Sequence, residues 1–341
     1  MKPVITIHDI AKKAKVSLAT VSLVLNRKGR ISEKTQERVR KAVREMNYSP
    51  NYSGRILRRK CSQQIALLYY PRASAIFNNP FYSKIIEGLL ERLSQNKYNI
   101  VLGNCDLSEE SFTIPDYLQN GSVDALILTG DLPEKAALHF SDLRIPILLL
   151  DSFSKHLAAD SLTSDGFQGV MDSIDHLVSL GHRHIAYVTH ELDLYNVQTR
   201  INGFKAAIQK NSLPLLGCPL IRMPVGKNVE WLAQEVLKAT RSKAPITAFV
   251  AVNDTIAFWV SHFLQKEAIQ LPRFLSFIGF DDDEEYSQRD IPMTTISVPK
   301  REIGIRAAEI ILTRISNSDL PLQKVVIPVS LVRRNSTVVV K

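Results

Sequence analysis

The residues best equipped for chemistry sit where apolar runs end. Asp151 closes the run ILLLD, Asn253 and Asp254 follow AFVAV, Asp281 follows SFIGF, and Arg200 lies in the loop and helix after IAYVT. The turn Asn79-Pro80-Phe81-Tyr82 follows an earlier run and opens a helix. Carboxylates accept hydrogen bonds, a guanidinium donates through a rigid fork, and an amide does both. Beside aromatic faces, these groups suit a polyhydroxylated sugar, whose hydroxyls need paired partners and whose apolar face stacks on rings. A purine fits the same set. Carboxylates also serve acid–base catalysis, but the chain has no GxGxxG, GxxxxGKS/T or GxSxG string and no metal-spaced His/Cys/Glu cluster. No catalytic residue, metal or cofactor is therefore expected. His182 and His184, two apart in LGHRHI, lack a metal-ligand set and read as structural groups at a strand entry.

Each binding residue has a plainer alternative. Asp254 reads as a helix cap before it reads as a ligand contact. Arg200 and Asp281 have the option of an ion pair within one lobe; ligand contact is preferred because both fall at strand ends. Phe81 divides evenly between core and pocket lining.

A second set of polar groups lies in the first sixty residues. Thr6, Ser17, Thr20, Ser22 and Asn26 carry short side chains suited to phosphate oxygens. Sixteen Lys and Arg stand against four Asp and Glu in residues 1–60; the rest of the chain holds 27 against 30. The basic excess is thus confined to the segment bearing those groups, an electrostatic footprint for a polyanion.

Three short helices must position them. Thr6 caps the first, with Asp9 three residues on completing a capping box and Ile7, Ile10, Ala11 and Ala14 on its apolar face. Ser17 caps a second with Val21, Val24 and Leu25 inward, which turns Leu18, Ala19, Ser22 and Leu23 outward. Ser32 caps a third with Val39, Ala42, Val43 and Met46 inward. Helices joined this tightly read as a helix-turn-helix, whose second helix reaches base edges in the major groove.

The 341 residues exceed one ordinary domain, and 45% are hydrophobic. Beyond residue 62, strands are expected at Ile65–Tyr70, Ile100–Asn104, Ala125–Thr129, Ile147–Asp151, Ile185–Thr189, Ala248–Val252 and Ser276–Phe280. Helical stretches such as Tyr82–Asn96 and Gln168–Leu180 alternate with them. That alternation predicts an α/β core of doubly wound parallel sheets, in which ligands bind beyond the carboxyl ends of the strands. Cys61, Cys105 and Cys218 form no CxxC pair, and neither a signal peptide nor a membrane span is visible, so a reducing cytoplasm is expected.

At this point the chain resembles the lac repressor/gal repressor family of bacterial transcriptional regulators. The resemblance rests on ITIHDIAKKAKVSLATVSLVLNRKGRISEKTQERVRKAVREMNYSPN, NPFYSKIIEGL, HLVSLGHRHIAYVT, TRINGF, AVNDTIA, SFIGFDD and SLVRRNST, in the expected order. It implies a helix-turn-helix head at 1–50, a hinge helix at 51–61 and a core at 62–341 resembling periplasmic binding proteins. The core would divide into an N-lobe of about 62–162 and 293–325 and a C-lobe of about 163–292 and 326–341. It also implies a homodimer on near-palindromic operator DNA, controlled by a small-molecule effector such as a sugar or sugar derivative bound between the lobes. The DNA-facing set then takes in Ser32, Thr35, Tyr48, Asn51, Gly54, Arg55 and Leu57, with Leu57 as a minor-groove wedge and Leu18, Ala19 and Leu23 at specificity positions. The effector set becomes Phe81, Tyr82, Asp151, Arg200, Trp231, Asn253 and Asp281. Four residues depart from the family pattern: Lys15 replaces a small turn residue, Gly54 an alanine, and Trp259 and Ala268 glycines. Control by a protein corepressor is the main alternative; an enzyme or a transport-type binding protein on the same fold fits less well.

Overall fold

The computed structural model describes residues 7–25, 29, 31–46, 61–69, 80–104, 107–108, 111–112, 114–130, 132, 134–190 and 194–340. Thr6, Asn26, Tyr48, Asn51, Gly54, Arg55, Leu57 and the hinge segment up to Lys60 lie outside them. The chain separates into two compact units, Met1–Ser62 and Gln63–Lys341.

In the first unit, α1 (Ile7–Ala14), α2 (Leu18–Leu25) and α3 (Glu33–Glu45) close over Ile10, Ala11, Ala14, Val21, Val24, Val39 and Ala42. Lys15 takes the left-handed conformation, at φ 51°, between α1 and α2. That conformation costs an L-residue about 1 kcal/mol or more, a cost that glycine escapes. Ser17 caps α2 as expected, its Oγ accepting from the Thr20 amide at 3.1 Å. Ser32 departs from expectation: it holds the N-cap position of α3, but its hydroxyl makes no cap bond and donates to Thr35 Oγ1 at 3.0 Å.

The second unit begins β1 (Gln64–Tyr69), α4 (Pro80–Gln95), β2 (Asn99–Asn104), a small pair β3 (Leu107–Ser108) and β4 (Ser111–Phe112), β5 (Ala125–Thr129), α5 (Glu134–Ser141), β6 (Ile147–Leu150) and β7 (Asp160–Ser164). It continues α6 (Gly166–Ser179), β8 (Ile185–His190), α7 (Tyr195–Lys210), β9 (Leu220–Met223), α8 (Val229–Thr240), β10 (Ala248–Ala251), α9 (Asp254–Lys266), β11 (Ser276–Ile278) and α10 (Glu284–Ser287). It ends β12 (Thr295–Ser297), α11 (Lys300–Ser316), β13 (Lys324–Ile327) and β14 (Ser330–Val332).

Two parallel sheets result. One runs β13-β7-β6-β5-β1-β2, the other β11-β10-β8-β9. Parallel bridges Ile278 to Thr294 and Asp281 to Ser297 place β12 beyond β11. Counted within each lobe, the first five strands share the order 2-1-3-4-5, a doubly wound arrangement with its ligand crevice at the carboxyl strand ends. The chain crosses between lobes after β7, between β12 and α11, and between β13 and β14. Three expected strands stop short, because Asp151 turns left-handed at φ 53° and Val252 and Phe280 already belong to the loops. No described helix is long and apolar enough to cross a membrane.

Helix α11 closes the first lobe against α4. The two backbones meet at Gly88, where an added methyl would strike the Arg301 carbonyl, and at Gly304, where it would strike Ile85. Trp259 does not disturb packing inside this unit: it is 47% exposed on α9, its ring edge-on to Phe258 at 5.2 Å. Ala268 adopts φ 61°, which accounts for the glycine usual there.

Gly304→Ala should therefore lower stability by about 1–3 kcal/mol, the usual cost of overpacking. A urea midpoint equal to that of the unaltered protein would refute the close approach.

Candidate functional site

On the first unit, Leu18 (38% exposed), Leu23 (37%) and exposed Ala19 share one side of α2 with half-buried Ser22, within an arc of about 140° at 100° per residue. An apolar face left in water on so small a unit is fitted to contact something apolar. The hydroxyls pair locally: Ser17 Oγ lies 2.9 Å from Thr20 Oγ1, and Ser32 bonds Thr35. Each pair presents a preset group at the surface.

In the second unit, the strand ends bring a charged cluster together. Asp151, just past β6, accepts from Tyr82 Oη at 3.2 Å and from Asn196 Nδ2 at 3.1 Å. Tyr82 stands on the first turn of α4 in the first lobe; Asn196 stands on the first turn of α7 in the second. Arg200, one turn further along the same face of α7, donates to the Val252 carbonyl and to Asp281 Oδ1, the latter at 3.2 Å. Its guanidinium lies 3.7 Å over the Phe280 ring. Gly166 gives the arginine passage, since a Cβ there would come within 2.9 Å of Arg200 Cγ. Both readings of Arg200 and Asp281 thus meet in one place: they form an ion pair within a lobe, and they face the carboxylate of the other lobe.

Electrostatics set this cluster apart. Burial raises the Asp151 pKa to about 6, against the pull of Arg200, Tyr82 and Asn196. Burial raises that of Asp281 to about 7, opposed by Arg200 and reinforced by Asp283. Asp281 and Asp282 both hold left-handed backbone, at φ 107° and 56°, at a cost of order 1–3 kcal/mol each. Four buried polar atoms of this region have no hydrogen-bond partner among the described residues: Arg200 Nε, Ser152 Oγ, Tyr187 Oη and His190 Nδ1. Native interiors rarely leave such groups unmatched, so the region is chemically prepared for a polar molecule.

Other expected residues make structural contacts. Asn253, not Asp254, caps α9, its Oδ1 accepting from the Ile256 amide at 2.9 Å. Asp254 is fully buried and accepts from the Asp283 amide at 2.7 Å and the Thr295 hydroxyl at 2.5 Å, pinning the loop after β11. Phe81 is buried in the core with its ring edge-on to Tyr82 at 5.2 Å. Trp231 is half-buried on α8 and shares no hydrogen bond or ring contact with the cluster among the described residues. His182 is structural: its Nε2–H donates to the Val338 carbonyl at 3.0 Å, leaving Nδ1 to accept from Thr247 at 2.8 Å. No His/Cys/Asp/Glu group among the described residues could hold a metal.

Asn196, Ser152, Tyr187 and His190 escaped the reading of the sequence. Asn196 had a signal, since it precedes Arg200 by four residues and so shares its helix face. Ser152 directly follows a nominated strand end.

Residues 6–51 match the model of bacterial regulatory proteins of the lacI family, and residues 174–337 that of the periplasmic binding protein-like domain. The repressor PurR of Vibrio parahaemolyticus is 31% identical, with 92% of this chain and 93% of that protein covered. The ribose operon repressor of Haemophilus influenzae is 29% identical over 97% and 98% of the two chains. Among solved structures, the lac repressor dimer bound to operator and the anti-inducer ONPF aligns with a TM-score of 0.83 and 25% identity, covering 98% of this chain and 100% of that one. An Enterococcus faecium regulator with bound ribose aligns with a TM-score of 0.69 and 27% identity, covering 82% and 100%.

Asp151 holds its proton more tightly folded than unfolded, so its ionisation opposes folding. Its contribution to stability is full below the unfolded value of about 4 and is lost as pH rises through about 6. Asp151→Asn should therefore gain stability relative to the unaltered protein across that window. Thermal melts with the same pH dependence for both proteins would contradict the assignment.

Proposed function

This chain belongs to the lacI family of bacterial regulatory proteins, and we propose how its two units divide the work of a DNA-binding transcriptional regulator. The chain is a regulator rather than an enzyme. Residues 1–50 carry the operator contacts, through Leu18, Ala19 and Leu23 to base edges and through the short hydroxyls to phosphates. Two copies engage a near-palindromic operator as a homodimer, because two half-sites need two heads related by a two-fold axis. The protein acts in the cytoplasm.

The core binds a small effector between its lobes. What supports this reading is one observation: Asp151 and Tyr82 from one lobe meet Asn196, Arg200 and Asp281 from the other, around buried polar atoms that have no partner among the described residues. Donors and acceptors in such density suit a polyhydroxylated ligand. The relative named as a ribose operon repressor and the ribose-bound structure make pentoses the first compounds to try; the PurR relative makes purines the second. Such a ligand acts by binding two states of the core unequally, since equal affinity would shift nothing.

Asp281→Ala should bind operator normally without effector yet lose about 2–5 kcal/mol of effector affinity. The measurement is operator binding with and without a panel of sugars and purines, alongside calorimetry. A variant responding at the unaltered concentration would remove Asp281 from the site. Response to none of the panel, with a protein recovered in pull-down, would favour a protein corepressor. Operator affinity should also fall steeply with salt, with a log–log slope of about −0.9 per phosphate neutralised; a flat slope would contradict the role of the basic head.

A further inference from the structure

Lys300 is a buried cation at the point where the chain passes from one lobe to the other. It is the first residue of α11, which packs on the first lobe's sheet and on α4. Its side chain reaches back into the second lobe. The ammonium bonds the carbonyl of Asp281, the carbonyl of Asp282 at 3.1 Å and the Asp283 carboxylate at 3.0 Å. An ammonium has three donors, and these contacts use all three. The three acceptors come from one loop, the left-handed turn that presents the Asp281 carboxylate to Arg200.

The other end of α11 contact leads to the opposite wall of the site. Gly304 lies against the Ile85 carbonyl of α4, too close for a methyl group. The first turn of α4 carries Tyr82, which donates to Asp151. The cluster therefore has two anchors: Asp281 through its loop to Lys300, and Asp151 through Tyr82 to the helix pair that Lys300 begins.

We propose that Lys300 is a positioning residue that ties the Asp281 loop of the second lobe to the α4–α11 pair of the first, so that displacement at either carboxylate is felt at the other. The proposal rests on the reading of the cluster as the effector site, but the coupling it asserts exists in the protein without ligand or operator. The placement of the lysine points the same way. A cation at a helix N-terminus is disfavoured by the helix dipole, and here it is held by oxygen atoms from another lobe.

Hydrogen–deuterium exchange on the full chain, without ligand, tests this apart from any effector. Lys300→Met should speed exchange at least tenfold at Asp281 and Asp283, whose amides bond the Ile296 carbonyl and the Asp254 carboxylate. It should also speed exchange in the first lobe, at the Asp151 amide, which bonds the Leu162 carbonyl, and at Ile303 in the first turn of α11. Lys300→Arg, which keeps a buried cation, should stay near the unaltered protein. Asp283→Asn removes the opposite charge and should reproduce the two-lobe pattern if Lys300→Met fails to fold. Acceleration confined to residues 281–283, acceleration of every strand alike, or Arg behaving as Met would each overturn the proposal.

Discussion

A guanidinium removed from water needs its charge answered, and the site is arranged around that demand. Arg200 is buried, so its charge has to be answered by Asp281, its fork by the Val252 carbonyl, and its face by Phe280. Each answer fixes a backbone segment. The Val252 carbonyl holds the end of the run that includes β10, Asp281 holds the loop after β11, and Gly166 holds α6 at the distance the arginine needs. Asp151 then faces a positive centre whose orientation is already determined. The Nε of the same guanidinium has no hydrogen-bond partner among the described residues.

Sequence reasoning reached this cluster through a rule of architecture. Carboxyl ends of parallel strands converge, so polar residues ending apolar runs are brought together without sharing any local motif. Asp151, Arg200 and Asp281 were legible for that reason. The sequence points to Asp254 as the cap of α9, and the structure gives that place to Asn253, because either residue type can cap a helix. The choice is made by the Asp283 amide and the Thr295 hydroxyl, which no local window contains. Ser32 failed likewise: its neighbour Thr35 offered its hydroxyl an alternative partner. Trp231 was placed by resemblance alone, and no hydrogen bond or ring contact among the described residues ties it to the cluster.

The fold was legible in its alternation and less so in its boundaries. Apolar runs marked most of the buried strands, since parallel strands covered on both faces have no polar alternation to read, but β7, buried throughout as DSLTS, carries no such run. Short strands with mixed exposure, such as β9, β13 and β14, gave no such run. The shared strand order of the two lobes was hidden as well. It is a relation between hydrogen-bonded neighbours, and two sheets can share it with no common residues.

The three crossings give the core a history as well as a hinge. The first lobe spans residues up to Ser164 but takes its closing helix from Lys300–Ser316 and its edge strand from Lys324–Ile327. On the ribosome, at about 5–20 residues per second, those pieces arrive about 7 to 30 seconds after β7 has emerged. Five strands of the second lobe, β8 to β12, are all made in the interval. Until then β7 presents an open edge and α4 a bare glycine face, the kind of surface that chaperones screen and that neighbouring chains can capture. The lobe that begins the core thus waits for its closing pieces until most of the other has been made, and changes that slow the pairing of α11 with α4 should first appear as loss of yield rather than loss of affinity.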